Sequence, residues 1–213
     1  MNNILSKVFG WMFIGLLITF FTGYYISLNE YALAKIFSGF TYILMIIIEF
    51  GLVIFLSARI RSMKPTTARI CFLLYSFITG ITFGGIFIVY DLTSIIYAFF
   101  ITALVFGLCA LIGKFSKIDF TKFGTYLYIE LFSVIICSIV NIFLKMSLLS
   151  TVLSALIILI FMGLTAYDIQ KIQRIKGTIP EENLPIYGAL ELYLDFINLF
   201  IEILKFVSKA RDN

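Results

Sequence analysis

The sequence contains no histidine, and only three cysteines, three prolines and one tryptophan among its 213 residues. Without histidine, any proton sensing near neutral pH falls to carboxylates in a low-dielectric setting. Cys71, Cys109 and Cys137 stand far apart inside apolar stretches with no CxxC spacing. Neither zinc nor a disulfide is expected of them, only small buried thiols. Charge is scarce as well. Asp, Glu, Lys and Arg together make 13% of the chain, about half the ~25% of a soluble globular protein. The net charge of +4 is small, and no basic tract interleaves with aromatics, so no nucleic-acid partner is expected.

What fills the chain is apolar, at 62% of residues. Runs of about 20 such residues recur, long enough to cross a ~30 Å hydrocarbon core as helices. The same runs exclude an outer-membrane barrel, whose strands alternate polar and apolar over ~10 residues. The pattern predicts seven spans, at 8–28, 36–58, 70–90, 92–113, 123–144, 146–167 and 186–204, forming an all-α integral membrane protein with 1–213 as one polytopic domain. The first run resembles a signal peptide in having Lys7 before it and Ala32-Leu33-Ala34 after it. It exceeds the 7–15 residues of an ordinary signal core, so a retained helix is expected. Gly80-x-x-x-Gly84, followed by Gly85, offers a close-packing face on the third span.

Basic residues set the orientation. With the N-terminus in the cytoplasm, Lys7, Arg59, Arg61, Lys64, Arg69, Lys114, Lys117, Lys122, Lys171, Arg174 and Lys176 all lie inside, eleven of sixteen. Lys35 and Lys145 fall in outer loops. Lys205, Lys209 and Arg211 sit on a C-terminal tail that a seventh crossing would put outside with Asn213, against the bias, so the last helix either crosses or dips in and returns.

Acids inside apolar segments are the functional signal. Glu191, Asp195, Asn198 and Glu202, spaced by four, three and four residues, share one helical stripe about 60° wide at ~100° per residue. A charge near the bilayer centre costs ~2.5–3.5 kcal/mol even on the lenient insertion scale, so intramembrane acids are seldom kept without a task. Glu49 lies about 15 Å inside the end of the second span, Glu130 about 10 Å inside the fifth, and Asp195 about 14 Å inside the seventh. Each has a plainer reading. Asp168 is also a solvated helix-end residue in its bland form, Glu130 a snorkelling side chain, and Arg59 and Arg61 topology anchors. Asp195 resists dismissal, because so short a carboxylate cannot reach the interface from that depth. A helix bearing this stripe is tolerated if other helices surround it or if it lines water.

The residues from Ala189 to Phe200, ALELYLDFINLF, resemble the C-terminal helix of the Bax-inhibitor family of transmembrane proteins. Tyr167-Asp168-Ile169-Gln170-Lys171-Ile172 is similar to the end of that family's sixth helix, and Ser76-Phe77-Ile78-Thr79-Gly80-Ile81-Thr82 to its third-helix motif. The likeness covers essentially the whole chain and is nearest to the short bacterial members. It implies seven transmembrane helices, as two three-helix layers around a central C-terminal helix. It also implies that Asp168 and Asp195 pair, share a proton and serve as the transient ligands of Ca²⁺, and that a basic residue ending the second helix latches onto the sixth-helix aspartate. Here Ile60 holds the expected latch position, flanked by Arg59 and Arg61. A family proline after Gly-Ile-Thr is replaced by Gly84-Gly85.

The expectation is a pH-regulated calcium leak channel of a bacterial cell membrane, not an enzyme, needing no cofactor, with Ca²⁺, protons and the bilayer as its partners. Two close carboxylates in a low-dielectric site cannot both ionise cheaply, so they titrate as a unit. Carboxylate oxygen also suits hard Ca²⁺. Glu49, Glu191, Asn198, Glu202 and Glu130 are candidates to line the ion path. Three competitors stand beside this reading. An ion- or proton-coupled transporter would use the same acids, though no inverted repeat is visible. An intramembrane aspartyl protease would suit Tyr167-Asp168, but its Gly-x-Gly-Asp partner motif is missing at Asp195. A non-conducting membrane regulator of stress or cell death is the third.

Overall fold

The computed structural model describes residues 2–211, with side chains from Ile4 onward, so the expectation for Asn213 lies outside the described residues. The helices are α1 (Asn2–Ser27), α2 (Glu30–Ile36), α3 (Gly39–Arg59), α4 (Pro65–Phe83), α5 (Ile86–Val89), α6 (Leu92–Phe115), α7 (Gly124–Leu144), α8 (Ser147–Arg174) and α9 (Leu184–Arg211), with a 3-10 turn at Phe120–Lys122. No β-strand occurs among the described residues. Six stretches are long and apolar enough to cross a membrane: Ile4–Ser27, Gly39–Arg59, Pro65–Val89, Leu92–Phe115, Gly124–Leu144 and Ser147–Arg174. Their outward side chains fit a lipid solvent and not water; Phe40 and Phe143 are 78% and 81% exposed. The protein is a multi-pass membrane protein.

Local chemistry explains the helix ends. Asn29 caps α2 by accepting from the Ala32 amide at 3.0 Å. Pro65 takes the first position of α4, where its missing N–H costs nothing. Lys145 closes α7 in the left-handed region, and the Asn141 side chain clasps both the amide and the carbonyl of Met146 across the tight turn into α8.

The chain divides into two compact units, each holding three of the six long apolar helices. The first comprises the residues up to Leu92 together with Ile175–Tyr193. The second comprises Thr93–Arg174 together with the residues from Leu194 onward. In the first unit α1 packs on α4 through glycine. A Cβ on Gly80 would lie 2.6 Å from Thr22 Cβ and 2.9 Å from the Thr19 carbonyl, and one on Gly84 would lie 2.7 Å from Ile26 Cγ2. The Gly80-x-x-x-Gly84 face is thus a close-packing face. The regular helix breaks between α4 and α5 at Gly84-Gly85. There the Gly84 amide bonds back to the Gly80 and Ile81 carbonyls, a tightened turn.

Four expected boundaries need correction. The sixth span does not stop at residue 167, because α8 continues to Arg174. Asp168 is therefore six residues, about 9 Å, inside its helix rather than at its end. The loop expected at 168–185 shrinks accordingly to the stretch between Arg174 and Leu184. Lys205, Lys209 and Arg211 do not form a tail either. They lie on α9, where Lys205 pairs with Glu202, Lys209 donates to Thr151 Oγ1 at 3.1 Å and Arg211 to Ser94 Oγ at 2.8 Å. A short helix, α2, also precedes α3 at the expected start of the second span.

The seventh expected span forms a helix, but α9 is not among the six stretches apolar enough to cross. Its burial sets it apart. Leu190, Leu192, Tyr193, Leu199 and Leu204 are essentially inaccessible, and Asp195 and Glu202 are buried beside them.

Candidate functional site

The second unit holds both Asp168, from α8, and Asp195, from α9, with 2% and 4% of their surfaces exposed. Two acids this buried need partners or a changed protonation state, since an isolated carboxylate removed from water costs several kcal/mol. One partner is local. Lys171 Nζ donates to Asp168 Oδ1 at 3.0 Å and lies 5.4 Å from the centre of the Tyr167 ring, so the lysine spans the acid and an aromatic face on its own helix.

The helix end that carries Asp168 is fixed from several sides. Gly113 of α6 approaches α8 so closely that an added Cβ would sit 2.5 Å from the Ala166 carbonyl oxygen. The Tyr167 ring packs on Gly124 and meets the Tyr128 ring edge-on at 6.0 Å. Gln170 then ties the α6–α7 loop to α8, accepting from the Phe120 amide and donating to the Ile118 carbonyl, both at 2.8 Å. One turn on, Arg174 donates to Asp119 Oδ1 at 2.7 Å and to the Thr121 hydroxyl. The Thr121 hydroxyl first, and then Arg174, hold the Asp119 carboxyl below the usual carboxylate range. On the α9 side, Phe196 beside Asp195 is wedged between Phe99 at 5.8 Å and Phe106 at 5.5 Å, both edge-on.

A family model described as inhibitor of apoptosis-promoting Bax1 matches residues 1–212. The chain belongs to this Bax-inhibitor family. Three relatives match along almost their whole lengths. A Borreliella burgdorferi protein described as uncharacterized is 40% identical, covering 100% of this chain and 94% of the relative. The inner membrane protein YbhL of Escherichia coli is 36% identical, over 99% and 93%. A Rickettsia prowazekii protein, also described as uncharacterized, is 34% identical, over 100% and 92%.

The remaining residues singled out from the sequence divide between the two units of this Bax-inhibitor chain. Arg59, Arg61, Glu49 and Glu191 belong to the first. There Arg59 and Arg61 are both exposed, and Arg61 donates to the Tyr187 hydroxyl at 2.9 Å with its guanidinium 4.7 Å from that ring's centre. The two arginines, equivalent on paper, are distinct in place. Glu49 is half-buried and accepts from the Thr82 hydroxyl at 3.0 Å, and Glu191 is half-buried on α9. In the second unit Asn198 bonds back to the Leu194 carbonyl at 2.7 Å, Glu202 is buried against Lys205, and Glu130 is exposed on α7. The four polar residues of the α9 stripe thus contribute one member to the first unit and three to the second.

Sequence reasoning missed several polar participants. Thr19 donates to the Ser76 carbonyl at 2.9 Å and its oxygen lies 2.6 Å from the Tyr193 hydroxyl, a buried link from α1 to α4 and α9. A threonine in an apolar run gives no signal of this. Lys171 and Lys205 did give one, since each follows an acid by three residues. Among the described residues no three of His, Cys, Asp and Glu gather closely enough to hold a metal ion.

Proposed function

We propose that this protein is a passive calcium leak channel of a bacterial cell membrane, regulated by a proton that Asp168 and Asp195 share. The observation that carries the reading is the burial of both aspartates in one compact unit of a multi-pass membrane protein. Two acids in a low-dielectric setting favour a single shared proton, and loss of that proton changes the charge at the site by one unit. Carboxylate oxygens are the ligands a hard divalent cation prefers, and so small a ligand set suits an ion that must leave again. In this reading the pair binds ions and protons and performs no bond chemistry, and α9 makes the seventh crossing at the centre of two three-helix layers. The N-terminus is cytoplasmic, as the basic loops require. YbhL, named an inner membrane protein, supports the bacterial setting. Asn198 and Glu202 continue the path along α9, with Glu191, Glu49 and Glu130 as further candidates.

The test is flux from liposomes containing purified protein, with Ca²⁺ and K⁺ compared across pH. Ca²⁺ should run down its own gradient with no other energy source. Flux seen only under an imposed proton or sodium gradient would assign the protein to the coupled transporters instead.

A further inference from the structure

Within the second unit, a cavity of about 400 Å³ lies among the C-terminal half of α7, the start of α8 and the later turns of α9. Its polar wall is made by Ser138, Asn141, Ser150, Ser154, Glu202 and Lys205, and aliphatic side chains of α7 and α8 complete it. Glu202 is the informative member. Its side chain is only 9% exposed. One carboxylate oxygen, Oε1, accepts from Lys205 Nζ at 2.7 Å, while the other, Oε2, is buried with no hydrogen-bond partner among the described residues. A buried carboxylate oxygen left empty is costly, and native proteins keep such groups where something transient completes them. The lysine that neutralises it is 46% exposed. It lines a second, adjoining cavity of about 240 Å³, shared at Ser150 and Ser154, so its ammonium has space to swing into.

We infer that this cavity is a weak binding site for a divalent cation, ligated by Glu202 and the surrounding hydroxyls, and that the Lys205 ammonium is its resident occupant, which an arriving ion displaces. The chemistry is that of exchange. The ammonium and the cation compete for one carboxylate, and the serine hydroxyls supply the additional oxygens that a hard cation collects and an ammonium does not need. A single carboxylate keeps the site weak enough for the ion to move on. The cavity adjoins the α7–α8 turn, which the basic-residue bias puts outside. The inference therefore deepens the leak reading by naming the outer mouth of the path. It rests on that reading for the flow of ions, though not for their binding.

Binding is tested on full-length protein in nanodiscs by the thermal midpoint as millimolar CaCl₂ is added, with choline chloride as the ionic-strength control. Ca²⁺ should raise the wild-type midpoint, Lys205→Gln should respond at about tenfold lower Ca²⁺, and Glu202→Gln should lose this component and keep only the response that Asp168 and Asp195 supply. An equal Ca²⁺ response in all three proteins, or none in Lys205→Gln, would overturn the site. If Glu202→Gln does not fold, the Lys205→Gln comparison decides alone. Flux through liposomes separates the two ideas. Binding shifts as expected with no Ca²⁺ flux from any variant would uphold the site and defeat the leak reading. Flux that is identical in all three proteins, with no binding shift, would do the reverse.

Discussion

Two glycines on α6 provide a matched test of how the end of α8 is held. Gly113 is pressed against α8, where an added Cβ would meet the Ala166 carbonyl oxygen at 2.5 Å and Ala166 Cα at 2.9 Å. Gly107, on the same helix, has nothing within 4 Å of such a Cβ. Replacing either with alanine brings the same helix-propensity gain, roughly 1 kcal/mol. That gain cancels in the comparison and leaves the overpacking cost alone. The atoms opposing Gly113 are backbone, which cannot rotate away, so the helices must part by several tenths of an ångström. Overpacking of this kind costs about 1–3 kcal/mol, and for a chain of this length each kcal/mol moves the midpoint by ~2–4 °C. Gly113→Ala should therefore melt about 2–12 °C below Gly107→Ala in the same detergent. Because Ala166 is two residues from Asp168, the same variant should also alter Ca²⁺ leak, whereas Gly107→Ala should not. Equal midpoints for the two variants would refute the close approach and, with it, the account of how Asp168 is positioned.

Other perturbations follow from the same geometry. Both arginines are exposed, but Arg61→Leu loses the Tyr187 hydrogen bond and the cation–aromatic contact and should cost about 1 kcal/mol in denaturation measurements, while Arg59→Leu should stay within ~0.5 kcal/mol. Asp119 has a lowered folded-state pKa, so its contribution is fully present above the ordinary carboxylate range and is lost as pH falls through the lowered value. The Thr121 amide donates to Asp119 Oδ1 at 3.2 Å, so its protection from hydrogen exchange, taken relative to the intrinsic rate, should fall only in acid, and Asp119→Asn should abolish that pH dependence. Cysteines placed singly at Ser62, Lys117 and Lys176 should react with impermeant reagents from the cytoplasmic side, and one at Lys145 from the outer side.

Much of this arrangement is legible in the residues themselves, for reasons of period and solvent. Six apolar spans follow from length alone, since lipid demands continuous hydrophobic cover. The α9 stripe follows from four polar residues at helical spacing, and a close-packing face on α4 from Gly80 and Gly84, though not that α1 covers it. The course of α8 beyond Asp168 is not legible in the same way. Gln170, Lys171, Gln173 and Arg174 look like loop chemistry, yet Lys171 turns back to Asp168 and Arg174 fastens Asp119, so the helix continues for another turn and a half. Spacing separates Arg59 and Arg61 by about 200° on a helix but does not say which is engaged, because only the fold brings Tyr187 to one of them. The cavity at Glu202 needed three helices in place before a lone acid became a site.

The most direct test of the shared proton is the pH dependence of Ca²⁺ flux through liposomes containing wild type, Asp168→Asn, Asp195→Asn and the double variant. Asparagine keeps the size and one hydrogen-bonding oxygen while removing the coupled titration. Each single variant should lose most of the pH dependence, and the double variant should add little to either, because the two acids act as one titrating unit. Wild-type pH dependence in both single variants would contradict the account.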